Sequence, residues 1–353
     1  MNKRTEGKFR LPDSEDNCLL KFLSEKVIRI DFWRSPSYLF QAVDIEVSEK
    51  DFSTLSSILE GHGIDFEVQI NDVQKLIEEE LETVGGRSGG WHDRYHNLEE
   101  IHSKLNEFSG RMASILYLGR SHEGKEMRAI QIKGRGRYNK PVFFIQCGIH
   151  AREWVSPATC MYIIDQMTQK YGKDSSVTAL LDKMDFVILP VLNVDGYAYT
   201  WINPALGPAT GHVIPPTGIE TRNVRNYLEG MGGKLKGFID FHAYSQMWFI
   251  PWGYTSRRTP DYSEQIRVAK AASDALRREH GTRFKYGSSA SLLYPASGGS
   301  EDWTYGKLGV TYSFSVELRD TGRHGFLLPA YQIIPTGEET FEGLKALVRE
   351  MRV

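Results

Sequence analysis

His150 and Glu153 stand three residues apart, directly after an apolar run from Pro141 to Cys147. Such a run is a strand that reaches the edge of a sheet, and a turn follows before the helix-like stretch near Ser156-Pro157-Ala158. At such a strand end an imidazole and a carboxylate can face one cation. Zn²⁺ takes His nitrogen and carboxylate oxygen at roughly 2.0–2.2 Å, and a catalytic zinc site uses three protein ligands. The run Phe238-Ile239-Asp240-Phe241-His242 supplies a third ligand at the end of a second apolar strand. A third strand, from Tyr312 to Val316, ends in Glu317. Two histidines and a glutamate on zinc, beside a second glutamate placed to act as a base, are the equipment of metal-assisted hydrolysis. The plainer alternatives are a satisfied core histidine for His242 and a Glu317–Arg319 ion pair. Asp185 and Asp240 read as structural. The shared strand-end position favours the metal, because ligands gather outside the carboxyl ends of strands in open α/β sheets.

The elements that must position these residues alternate. From Tyr95 onward strand-like and helix-like stretches follow one another, as in an α/β domain. Ahead of them, residues 1–20 read as charged and irregular, and a strand begins over Val27–Asp31. Residues 53–60 carry helical apolar spacing stopped by Gly61 and Gly63. Asp65–Ile70 alternates like a half-buried strand, and Asn71–Leu81 reads as a capped acidic helix. Together they make a small α+β unit. Gly85-Gly86-Arg87-Ser88-Gly89-Gly90 is a flexible linker, and its exposed arginine suits a trypsin-like protease. Gly281–Gly299 reads as a loop able to move over a site.

The chain has 353 residues, with 43 basic against 45 acidic side chains and a net charge of −2. That balance calls for no nucleic-acid partner. Apolar runs are strand-length, so neither a transmembrane helix nor a membrane partner is expected. Met1–Lys8 lacks the apolar segment of a signal peptide, which taken literally points to the cytosol. Of the three cysteines, Cys147 and Cys160 flank the His150–Glu153 motif and Cys18 is left over.

Read together, Cys147–Ala158, Pro190–Tyr197, Phe238–Gln246, Tyr294–Trp303 and Glu317–Arg323 recur in the order of one family. From about Tyr38 to the C-terminus the chain resembles the zinc metallocarboxypeptidases of the pancreatic A/B type, made as precursors with a propeptide. The resemblance implies a mixed central β-sheet flanked by helices, preceded by a small α+β propeptide domain. It implies a propeptide at 21–82, an activation linker at 83–94 and a catalytic domain at 95–353. One Zn²⁺ would sit on His150, Glu153 and His242, with Glu317 as general base. Arg152 would help polarise the scissile carbonyl, and Tyr294 would close over the substrate's C-terminal carboxylate. Tyr244 and Phe326 would line the subsites. Glu301 would lie at the bottom of the pocket for the departing side chain and select Lys or Arg. Cys147 and Cys160 would form a disulfide, and Arg87 or Arg94 would be the activation cut.

The resemblance also implies a secreted monomer that acts on peptide and protein C-termini and is activated by a trypsin-like protease. One departure bears on activity. Near residues 202–220 the family carries a longer stretch, with an arginine for the oxyanion and an Asn-Arg clamp for the terminal carboxylate. The segment from Ile202 to Gly218 contains no arginine. Arg222 and Arg225 follow on a helix-like run expected to pack outside the sheet. The expectation is retained zinc binding with low turnover. The alternatives are a zinc-binding pseudoenzyme and a regulatory role for the propeptide unit.

Overall fold

The computed structural model describes residues 6–11, 17–34, 42–85, 89–110, 112–136, 139–202 and 218–353. Arg87, residues 203–217 and the side chain of Cys18 lie outside the described residues.

The chain opens with β1 (Glu6–Leu11), α1 (Asn17–Lys26), β2 (Ile30–Arg34), β3 (Val43–Ser48), α2 (Glu49–Gly61), β4 (Glu67–Ile70) and α3 (Val73–Gly85). The four strands form an antiparallel sheet in the order β2-β3-β1-β4. Its own core is built from Leu20, Leu23, Val43, Ile45, Leu55 and Leu59, among others. The Ser48 hydroxyl caps α2 by accepting from the Asp51 amide, and the Asp72 carboxylate accepts from the Lys75 amide near the start of α3. Where residues 1–20 read as irregular, the structure has β1 and the start of α1, so this sheet begins ahead of residue 21. The reason is non-local: β1 is a short, charged strand whose backbone is satisfied by β3 on one side and β4 on the other. β2 starts later than Val27 because the amides of Val27 and Ile28 bond back to the Leu23 carbonyl and extend the helical turn. α3 continues to Gly85, into the stretch that reads as linker.

The rest of the chain builds an eight-stranded mixed sheet. Its strands are β5 (Ala113–Arg120), β6 (Glu126–Ile132), β7 (Val142–Cys147), β8 (Asp185–Leu189), β9 (Leu235–His242), β10 (Met247–Ile250), β11 (Lys285–Ser288) and β12 (Tyr312–Glu317). The order is β11-β10-β12-β9-β7-β8-β6-β5. The flanking helices are α4 (Leu98–Phe108), α5 (Val155–Lys170), α6 (Ser175–Lys183), α7 (Val194–Ile202), α8 (Gly218–Met231), α9 (Tyr262–His280), α10 (Ser289–Leu292), α11 (Ser300–Leu308) and α12 (Ile333–Glu350). All six residues of β7 are buried, which is why it reads as an unbroken apolar run. α12 packs on α9 and α5, and α8 lies against β5. β11 and α10 occupy part of the stretch that reads as loop, because β11 gains its hydrogen bonds only by pairing with β10 at the sheet edge.

The centre of the sheet sets up the site. β12, β9 and β7 are adjacent and parallel, so their carboxyl ends lie together. The register places Glu317 opposite His242 and Cys147 opposite Phe241.

Candidate metal centre and its surroundings

Just beyond β7 the chain must turn sharply. Gly148 has φ +63°, where a side chain would be strained, and a Cβ there would press on Pro157 and on the backbone at Pro190 and Val191. The Ser156 hydroxyl accepts from the Gly148 amide and donates to the Phe241 carbonyl, tying this turn to the end of β9. The Glu153 amide then bonds to the His150 carbonyl at 3.2 Å, closing a turn that brings the two side chains together.

His150 Nδ1 lies 2.7 Å from Glu153 Oε1. His242 Nδ1 lies 3.1 Å from His150 Nδ1 and 3.2 Å from Glu153 Oε2. Glu153 Oε2 is buried without a hydrogen bond. Two imidazole nitrogens facing each other across a buried carboxylate is costly unless a cation lies between them. All three ligand atoms fall within 4.8 Å of one another. Two nitrogens and one carboxylate are a zinc donor set, so the residues present fit that ion.

The electrostatics agree. Burial would raise the Glu153 carboxyl, but the His150 and His242 imidazoles outweigh it and hold the carboxyl low. Burial would lower His242, but the Asp240 and Glu153 carboxylates raise it well above the usual imidazole value. Glu317 is pushed up by burial and by the Glu153 charge, partly offset by His242. Its Oε2 is buried without a hydrogen bond. The alternative Glu317–Arg319 ion pair does not form, because Arg319 turns instead to Glu339 and Thr282.

Three other expected site residues meet beside this cluster, in contact with the N-terminal unit. The Arg152 guanidinium is 3.1 Å from Asp31 Oδ2 and 4.0 Å from the Phe326 ring centroid. Tyr244 donates its hydroxyl to Asp44 at 2.8 Å and packs edge-on to Phe326. Trp33 packs on Phe326, and Arg34 donates to the Ser245 hydroxyl at 3.1 Å. Gly325, at φ +60°, makes this fit possible, since a Cβ there would come within 2.7 Å of the Trp33 ring. The sequence reading missed Asp31, Trp33 and Arg34. Nothing local marks them, because the partners they meet at the site, Arg152, Phe326 and Ser245, are far away in the chain.

Glu301, at the start of α11, is buried and accepts from the Ser289 hydroxyl at 3.0 Å. Burial and the neighbouring Asp302 charge push its carboxyl up to about 7. Tyr294 lies between α10 and α11 and is 39% exposed. Cys147 and Cys160 are joined by a disulfide. Arg94 is held by both oxygens of Glu100, at 3.0 and 2.8 Å. Arg222 and Arg225, expected outside the sheet, line a cavity of about 430 Å³ that reaches inward to Gln146 and Ser300. Asp240, read as structural, lies 3.3 Å from His242 Nε2.

Comparison with known proteins places this geometry in a family. The family model for zinc carboxypeptidases matches residues 98–210 and 203–343, and that for the carboxypeptidase activation peptide matches 10–80. The chain belongs to the zinc carboxypeptidase family, whose members are metal-dependent peptide hydrolases. It is 34% identical over 389 residues to carboxypeptidase A2 of Rattus norvegicus, covering 97% of this chain and 92% of the relative. It is 36% identical to carboxypeptidase A1 of Bos taurus, covering 91% and 87%, and 32% identical to carboxypeptidase B of Homo sapiens, covering 90% and 86%. The crystal structure of thrombin activatable fibrinolysis inhibitor superposes with a TM-score of 0.88 at 30% identity, covering 99% of this chain and 98% of that one. The alignment with the rat enzyme is longer than this 353-residue chain, so part of the relative has no counterpart here. The two blocks of the family match meet at 203–210. Among the described residues no helix is long and apolar enough to cross a membrane.

Proposed function

We propose that this chain is the precursor of a zinc carboxypeptidase that releases Lys and Arg from peptide C-termini. The observation that carries the reading is the convergence of His150, Glu153 and His242 at adjacent strand ends, with Glu317 in register beside His242. Zinc held there supplies a Lewis acid for the peptide carbonyl. Glu317, held in a buried position, takes a proton from the attacking water and returns it to the leaving amine. Arg152 steadies the carbonyl oxygen, and Tyr244 and Phe326 wall the neighbouring subsite. The buried Glu301 carboxyl selects a cationic side chain, since a carboxylate removed from water gains most from a cation beside it.

The N-terminal unit is read as an inhibitory propeptide. It occupies Arg152, Tyr244 and Phe326, three of the groups a substrate would use. Cleavage in the linker is assigned to Arg87, because the ion pair with Glu100 holds Arg94 in place. The disulfide fits a secreted protein, since such bonds persist in oxidising compartments. With the family's carboxylate clamp absent from 202–220, turnover is expected to be low. The test is metal analysis and peptide hydrolysis before and after limited trypsin treatment. One zinc per chain, with release of C-terminal Lys that rises from a low background on cleavage, is expected. A protein that takes up no zinc would refute the reading.

A further inference from the structure

We propose that Asp240 is a positioning residue for the metal centre, holding His242 with Nδ1 turned to the ion. The inference rests on the zinc reading above. Asp240 and His242 are two residues apart on β9, so both side chains leave the same face of the strand. The imidazole has two distinct edges. Nδ1 faces His150 and Glu153, while Nε2 lies 3.3 Å from Asp240 Oδ2. With Nε2–H given to that carboxylate, the tautomer is fixed and the Nδ1 lone pair is left for the metal.

Asp240 is itself built in. It is 1% exposed, and Gln146, its partner across the β7–β9 ladder, donates Nε2 to Asp240 Oδ2 at 2.7 Å. Its other oxygen, Oδ1, is buried without a hydrogen-bond partner. A buried carboxylate so placed is costly as a purely structural group. Against the edge of a metal-binding imidazole it has a use, because an outer carboxylate orients the ring and raises its strength as a ligand. The other histidine differs. His150 has a half-exposed side chain, and among the described residues its Nε2 has no protein partner. Of the two histidines His242 is the more enclosed, and Asp240 is the carboxylate at its outer edge.

The test uses the full chain as wild type, Asp240→Asn and Asp240→Ala. Zinc affinity is read by chelator competition, and thermal melting of the zinc-free proteins is read alongside. The expected result is one zinc on the wild type and roughly 10–100-fold weaker binding in both variants, with zinc-free melting unchanged or raised. Unchanged zinc affinity in Asp240→Asn overturns the proposal, as does a loss of zinc-free stability with affinity intact. A wild type that binds no zinc overturns the zinc reading itself and is recognised separately. Should neither variant fold, a long-range proton–nitrogen spectrum of the zinc-loaded wild type decides. It shows a hydrogen-bonded Nε2–H on His242 if the proposal holds, and the opposite tautomer if it does not.

Discussion

Replacing Glu301 by Gln keeps the shape of the side chain and removes its ability to ionise. In the folded chain the Glu301 carboxyl titrates at about 7, against an ordinary value of 4.5. Below pH 4.5 it is protonated whether the chain is folded or not, and contributes nothing to pH dependence. Between 4.5 and 7 the unfolded chain gives up this proton while the folded chain keeps it, so wild-type stability falls as pH rises. Above 7 the loss is complete. One pKa unit corresponds to about 1.4 kcal/mol, so the full displacement is worth about 3 kcal/mol. Glu301→Gln should therefore match the wild type at pH 4 and exceed its stability by about 3 kcal/mol at pH 8, read by urea unfolding of the full chain. The Ser289 hydroxyl, 3.0 Å away, can accept from the new amide. Catalysis should move the other way. A cationic substrate side chain needs the ionised form, so wild-type preference for C-terminal Lys over Phe should grow as pH rises through 7. The variant should lose that pH dependence. It should also lose about 3 kcal/mol of the preference, on the order of a hundredfold in kcat/KM, as expected when one partner of a buried ion pair is removed. A variant that keeps the Lys preference and gains no stability at pH 8 would refute the placement of Glu301 in the pocket.

Two further outcomes are expected. Asp31→Asn breaks the partly buried contact with Arg152, worth about 1 kcal/mol. The uncleaved precursor should then show roughly fivefold more background hydrolysis, measured with cleavage blocked by Arg87→Gln; no rise would mean that the contact does not hold the unit closed. Joint Cys147→Ser and Cys160→Ser substitution opens a 13-residue loop. It should cost about 3 kcal/mol and lower Tm by about 4 °C by calorimetry without reductant, and an unchanged Tm would count against the bridge.

The metal cluster was legible in the sequence because its signals are local. His150 and Glu153 share one turn, His242 closes an apolar run whose burial on both faces can be read from composition, and Glu317 ends a strand of alternating aromatic or aliphatic residues and serines. The buried strands β7 and β9 announce themselves for the same reason, whereas the burial of Ser313 and Ser315 in β12 shows only in the fold. β1 and β11 do not announce themselves, because a short strand with polar residues gains its hydrogen bonds only from partners distant in the chain. Asp240, two residues before His242 on β9, reads as structural in the sequence. Its place 3.3 Å from His242 Nε2, with Gln146 of β7 donating to the same carboxylate oxygen, appears only in the folded sheet. The contacts of Asp31, Trp33 and Arg34 with Arg152, Phe326 and Ser245 left no trace in sequence, since they belong to the meeting of two folded surfaces. Residue types and spacing thus determined which atoms were available for chemistry. Tertiary structure decided which of them face one another, because adjacency across a sheet or an interface depends on register and docking, and no short stretch of sequence encodes either.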